Sequence, residues 1–165
     1  MTQRAGRAGR LEAGICLHLL AKEQAERAPA QSEAEILHSD LAALWLELLQ
    51  WGCREVNQLR WLDMPPAGLL QAAQRLLQLL DATDQSAQLS AKGRRMAQLG
   101  SDPRLAALMI AADNDRHQVA SATRLVAILE EPPRQGSVDL RDAFFQTQPH
   151  WQRRARQLQK RLQQP

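Results

Sequence analysis

From residue 41 to residue 162, apolar side chains return every three or four positions, a period that helices satisfy and strands do not. The clearest run is Leu41, Leu44, Trp45, Leu48 and Leu49, one stripe that Ser39 and Asp40 can cap and that ends at Gly52. The next follows Pro65-Pro66, a pair that suits a first turn but not a helix interior, and continues through Leu69, Leu70, Ala73, Leu76, Leu77 and Leu80. Ser90 can cap a short third helix, AKGRRMAQL, in spite of Gly93, which costs about 1 kcal/mol against Ala. Asp102-Pro103 is a cap and first position for RLAALMIAA. HQVASATRLVAILE then places Val119, Ala122, Leu125, Val126 and Leu129 on one side before Pro132-Pro133 stops it. A last helix near Pro149–Leu162 aligns Trp151, Ala155, Leu158 and Leu162.

Composition agrees with the period. Apolar residues make up 44% of the 165, enough for a core, and there is no Tyr and only two Phe. The expected class is mainly α. One stretch differs: GICLHLL, Gly14–Leu20, reads as a buried strand, and a lone strand needs neighbours to satisfy its backbone. Residues 21–37, interrupted by Pro29, read as a connector. The order helix, helix, short extended turn (DATDQSAQLS) and helix suggests a winged-helix module over 38–100, followed by a partial helical bundle over 101–165.

The net charge of +3 is unevenly placed, with five basic and no acidic residues after position 142: Arg153, Arg154, Arg156, Lys160 and Arg161. Such a cluster attracts phosphate backbones, although a solvated basic helix end is its commoner meaning. Trp45, Trp51 and Trp61 sit in apolar settings and read as core. Trp151 could stack on a base, but its place on the apolar stripe favours packing. Cys16 and Cys53 form no CxxC pair, and no histidine stands at metal-ligand spacing, so no metal site is expected. Cysteine usage fits a reducing cytoplasm, and no apolar run suits a membrane span or a secretory signal. Asp102, Asp113 and Asp115 lie where helix capping explains them better than acid–base chemistry.

The amino end, Gln3-Arg4-Ala5-Gly6-Arg7-Ala8-Gly9-Arg10, brings guanidinium groups together on a backbone of small residues, as a turn meeting a polyphosphate would require. By itself the pattern also fits an unstructured RG-rich arm that binds RNA. QRAGRAGR resembles motif VI of superfamily 2 helicases, in the spelling common among DEAH-type RNA helicases. The resemblance runs on. GRLEAGICLHLL is similar to the last strand of the family's second RecA-like lobe. SEAEILHSDLAALWLELLQWG and WLDMPPAGLLQAAQRLLQLL resemble its winged helix, LSAKGRRMAQLGSDPRLAALMIAA the segment that closes that module, and AILEEPPR with DLRDAFF the start of its ratchet-like bundle. Within the family the chain looks most like the HrpB type.

The resemblance implies a C-terminal part of an ATP-dependent, RNA-directed helicase, whose residues 1–37 close a RecA-like lobe. Gln3, Arg7 and Arg10 would reach the γ-phosphate of ATP held with Mg2+, Arg7 and Arg10 catalytically, and the basic C-terminal cluster would contact single-stranded nucleic acid. Neither a GxxxxGK[ST] phosphate loop nor a DEAH box occurs in residues 1–165, so the chain alone is expected neither to bind ATP tightly nor to hydrolyse it, lacking the N-terminal lobe as partner. The rival reading is a free-standing winged-helix module that binds nucleic acid without catalysis. One departure from the family pattern stands at Leu80-Asp81-Ala82-Thr83-Asp84, where Asp81 replaces the usual glycine and would have to adopt its left-handed conformation.

Overall fold

The computed structural model describes residues 2–17, 19, 21–27, 33–134, 139–146 and 148–164. Two compact units divide between Glu33 and Ala34. Among the described residues, the first holds two short helices, α1 (Thr2–Ala8) and α2 (Lys22–Arg27). The second holds, among its described residues, seven: α3 (Ala42–Gln50), α4 (Ala67–Leu79), α5 (Ala91–Leu99), α6 (Pro103–Ala111), α7 (Arg116–Glu130), α8 (Leu140–Phe145) and α9 (Pro149–Leu162).

The expected strand is not present among the described residues. Those of Gly14–Leu20 belong to no ladder, with Ile15 88% exposed and Leu17 85% exposed. Nothing among them supplies the neighbouring strand that would cover those side chains and pair the backbone. His18, Leu20 and Pro29 of the connector lie outside the described residues.

In the second unit, local chemistry sets the helix ends. Asp40 accepts the Ala42 N–H at 2.8 Å, and the Ser90 hydroxyl accepts from Gly93 N–H at 2.9 Å. Asp102, Asp115 and Asp139 do the same for Arg104, His117 and Arg141. Helix α3 closes with Gly52 at φ 90°, where Gly52 N–H reaches the Leu49 carbonyl and Cys53 N–H the Leu48 carbonyl. Helix α4 closes identically, except that the left-handed position is Asp81, at φ 56°. The aspartate thus adopts the conformation that glycine would supply, and Asp81 N–H and Ala82 N–H still find Gln78 and Leu77. Asp tolerates this region better than most residues.

Helix α5 shows why a glycine sits inside it. Gly93 is buried where a Cβ would lie 2.0 Å from the Ala82 carbonyl oxygen, so the turn after α4 can press against α5 only if that position has no side chain. Thr83 and Leu89 pair as an antiparallel bridge, and the Asp84 carboxylate accepts the Ser86 and Gln88 N–H groups at 2.8 and 2.9 Å across the loop between them. The extended turn of the sequence is therefore a minimal hairpin between α4 and α5.

One core joins α3 to α6, with α9 lying across it: Trp45, Leu77, Met96, Leu99, Met109, Val126, Leu158 and Leu162 are each almost fully buried. A second cluster, Ala127, Ile128, Ala143, Trp151 and Ala155, seals α7 and α8 against α9. The stripe expected on α7 is rotated. Leu129 is 38% exposed, whereas Thr123, Ala127 and Ile128 are buried, because α7 packs on α9 as well as on α6. Buried Thr123 donates to the Val119 carbonyl at 2.8 Å and accepts from Gln159 Nε2 at 3.1 Å, so its hydroxyl is satisfied.

Candidate nucleotide and nucleic-acid contacts

The arginine-rich segment that reads as a turn is helical in the structure, with Arg7 in the last turn of α1 and Arg10 just beyond it. Gln3, Arg4, Ala5, Arg7 and Ala8 are good helix formers, Gly6 is not, and a cation in the last turn is favoured by the helix dipole. Gln3 lies in the same helix, one turn before Arg7. Arg7 and Arg10 are exposed and line an open concavity with Leu11, Glu12 and Ala13. Neither makes an ion pair with a described residue. A second glycine is obligatory here, since a Cβ on Gly14 would fall 1.7 Å from the Ala8 carbonyl oxygen and push the chain off the end of α1.

The basic residues of α9 separate into two groups. Arg154 makes a two-pronged pair with Glu130, Nε to Oε2 at 2.6 Å and Nη2 to Oε1 at 2.9 Å, and Arg161 donates to the Leu99 carbonyl at 2.9 Å. These two are tied into the fold. Arg153, Arg156 and Lys160 are exposed at spacings of three and four, which puts them on one solvent-facing stripe. Sequence reasoning could not separate the groups, because Glu130 and Leu99 come from distant helices.

Glu130 is the centre of a charged knot between α7 and α9. Its carboxyl is held below the ordinary glutamate value of 4.5, first by the Arg154 hydrogen bonds and then by the Ser101 hydroxyl at 2.8 Å, with partial burial opposing. A depressed carboxylate contributes stability that is present above its unfolded value and lost as pH falls through its folded one. Glu130→Gln should therefore cost about 1 kcal/mol at pH 7, and the difference from the parent chain should shrink as the pH falls below the ordinary glutamate value of 4.5, as read from thermal unfolding across that range.

Other polar residues are structural. Arg95 bridges Asp113 and the Leu162 carbonyl, fixing α5 to the α6–α7 turn and to the end of α9. Arg104 joins Asp40 at 2.8 Å and Asp102 at 3.3 Å. Asp40 is shifted below its ordinary value, chiefly by the Ala42 N–H and further by Arg104. The capping reading of Asp102 and Asp115 is what the structure shows, while Asp113 serves Arg95. No group of three or more metal-ligating side chains occurs among the described residues, and no helix among them is long and apolar enough to cross a membrane.

The tryptophans follow their surroundings, with one correction. Trp45 is 2% exposed, and Trp61 is half-buried and donates to the Val56 carbonyl at 2.8 Å. Trp151 is 4% exposed, with Nε1 donating to the Glu131 carbonyl at 2.8 Å, so it packs. Trp51, expected in the core, is 79% exposed, because it stands at the end of α3, off the stripe that carries Trp45, Leu48 and Leu49.

No family model matches the chain. It is 62% identical over 98% of its length to the ATP-dependent RNA helicase HrpB of Escherichia coli strain K12. It is 33% identical over 68% of its length to the ATP-dependent RNA helicase HrpA homolog of Haemophilus influenzae. Among solved structures, the E. coli DEAH/RHA helicase HrpB matches at 60% identity with a TM-score of 0.84, covering 98% of this chain. The chain spans only one fifth of the HrpB relative's length. Over nearly its whole extent this is HrpB-type helicase sequence, and it folds as the corresponding part of that protein does.

Proposed function

We propose that this stretch of HrpB-type sequence is the C-terminal part of an ATP-dependent RNA helicase that completes the enzyme's ATP site and carries part of its grip on RNA. The observation that carries the reading is the motif Gln3–Arg10 within a chain 62% identical to HrpB, with Arg7 and Arg10 exposed and making no ion pair with a described residue. Arginines committed to the fold would be paired, as Arg154 is. These two are available.

The chemistry fits guanidinium groups at that place. Transfer of the γ-phosphoryl group spreads negative charge over its oxygens, and a planar fork set there lowers the barrier where a point charge would do less. Arg7 and Arg10 would supply that charge and Gln3 would orient the terminal phosphate. An N-terminal lobe would hold the remaining phosphates and Mg2+ through the phosphate loop and acidic box that residues 1–165 do not contain. The exposed leucines and isoleucine of residues 11–19 are side chains that the sheet of a RecA-like lobe would cover.

In the same reading, α3, α4, the Thr83–Leu89 hairpin and α5 form a winged-helix module, and α6 to α9 begin a ratchet-like bundle whose Arg153, Arg156 and Lys160 face RNA as ATP hydrolysis moves the lobes. A chain that holds only one wall of the ATP site should not turn over. Phosphate release by the purified 165-residue chain, with ATP, Mg2+ and single-stranded RNA, is expected to stay at the level of buffer. Turnover above that level overturns the reading.

A further inference from the structure

We infer that the groove between the end of α3, the Thr83–Leu89 hairpin and α5 is a second contact for a single nucleic-acid strand, separate from the basic face of α9. The groove encloses about 310 Å³ and is lined by Arg54, Arg94, Gln50, Gln88 and Gln98 over a floor that includes Leu49 and Leu89. No carboxylate is among its lining residues. The Arg54 side chain has no partner among the described residues, and Arg94 uses one Nη to hold the Leu89 carbonyl at 2.9 Å, which fixes its guanidinium beside the hairpin and leaves its other donors for a ligand.

Trp51 stands between two residues that bound this groove, Gln50 and Gly52, and is 79% exposed. Two arginines and three glutamines line the groove, cations for adjacent phosphates and amides for base edges, and Trp51, itself outside the lining, is an exposed π-face at the chain position between two lining residues, where a flanking base could stack. Gly52 at φ 90° and the Cys53 N–H bond to the Leu48 carbonyl set the direction of the chain from Trp51 to Arg54. The choice of RNA as the probe rests on the proposed function; the site itself rests on these side chains.

The test is binding of a fluorescein-labelled 12-residue oligouridylate to the 165-residue chain, followed by anisotropy over a range of salt. Arg54→Gln/Arg94→Gln should weaken binding at least tenfold and reduce the slope of log K against log salt by about 1.4, as loss of two single-strand phosphate contacts requires. Trp51→Ala should weaken it by about 5- to 100-fold. In the parent chain, RNA should also shield Trp51, the most exposed indole, from acrylamide. Circular dichroism spectra of all variants should match the parent, with only a small drop in melting temperature for Arg54→Gln/Arg94→Gln, which gives up the bond to the Leu89 carbonyl, and this separates a lost contact from a lost fold. Groove variants that bind within twofold of the parent overturn the inference, and so does dependence on Arg153, Arg156 and Lys160 alone. Neither result bears on Arg7 and Arg10, whose role is read by ATP hydrolysis.

Discussion

Replacing Trp151 by alanine is expected to lower the stability of the second unit by about 3–5 kcal/mol, a cost typical of emptying a large aromatic site in a core. The ring is 4% exposed and packs among Ala127, Ile128, Ala143 and Ala155, small or branched neighbours on three helices that cannot close over the space it leaves. Its Nε1 also holds the Glu131 carbonyl, the cap of α7, just before Pro132-Pro133 turns the chain. Trp151→Phe should keep most of the packing and lose mainly that hydrogen bond, about 1 kcal/mol. Urea unfolding followed by circular dichroism gives both values. A base-stacking tryptophan would behave in the opposite way: its removal would spare the melt and weaken RNA binding.

The two other structural anchors on α9 act beside it. Leu158 and Leu162 reach the first core while Trp151 and Ala155 reach the second, so a single helix closes both. The Glu130–Arg154 pair joins α7 and α9 at the edge of these clusters, which is why its acid sensitivity should appear as a change in global stability.

How much of this was legible in the sequence depended on range. Helix α9 could be read to its ends, Pro149 and Leu162, because period, proline and stripe all lie within it. Caps at Ser90, Asp102 and Asp115 are contacts over two or three residues and were equally visible. Asp81 was the one place where the pattern predicted strain, and the strained conformation is present. What failed was long-range. Gly93 looked like a flaw because the Ala82 carbonyl that requires it lies eleven residues away. Trp51 reads as buried because Leu48 and Leu49 lie just before it and Cys53 just after, although it stands beyond the end of the stripe. The strand at Gly14–Leu20 was read from side chains whose partners, on any sheet, come from other segments. Of the candidate site, the sequence offers the arginines as candidates but shows neither that α1 is helical nor that Arg154 and Arg161 are taken up by Glu130 and the end of α5.

Arg7 and Arg10 are proposed to act on a nucleotide rather than on a nucleic-acid backbone. In the full-length enzyme that contains this stretch, Arg7→Ala/Arg10→Ala should reduce RNA-stimulated ATP hydrolysis by about 10³-fold or more, the range lost when an arginine finger is removed. Lysine at both positions should restore little, since it keeps the charge without the fork. The two side chains are exposed and make no ion pair with a described residue, so the enzyme should remain folded and bind RNA as before. The decisive measurement is therefore the double alanine variant assayed for both ATP hydrolysis and RNA affinity. Collapse of hydrolysis with affinity unchanged is the predicted result; preserved hydrolysis with weaker, less salt-dependent RNA binding would contradict it.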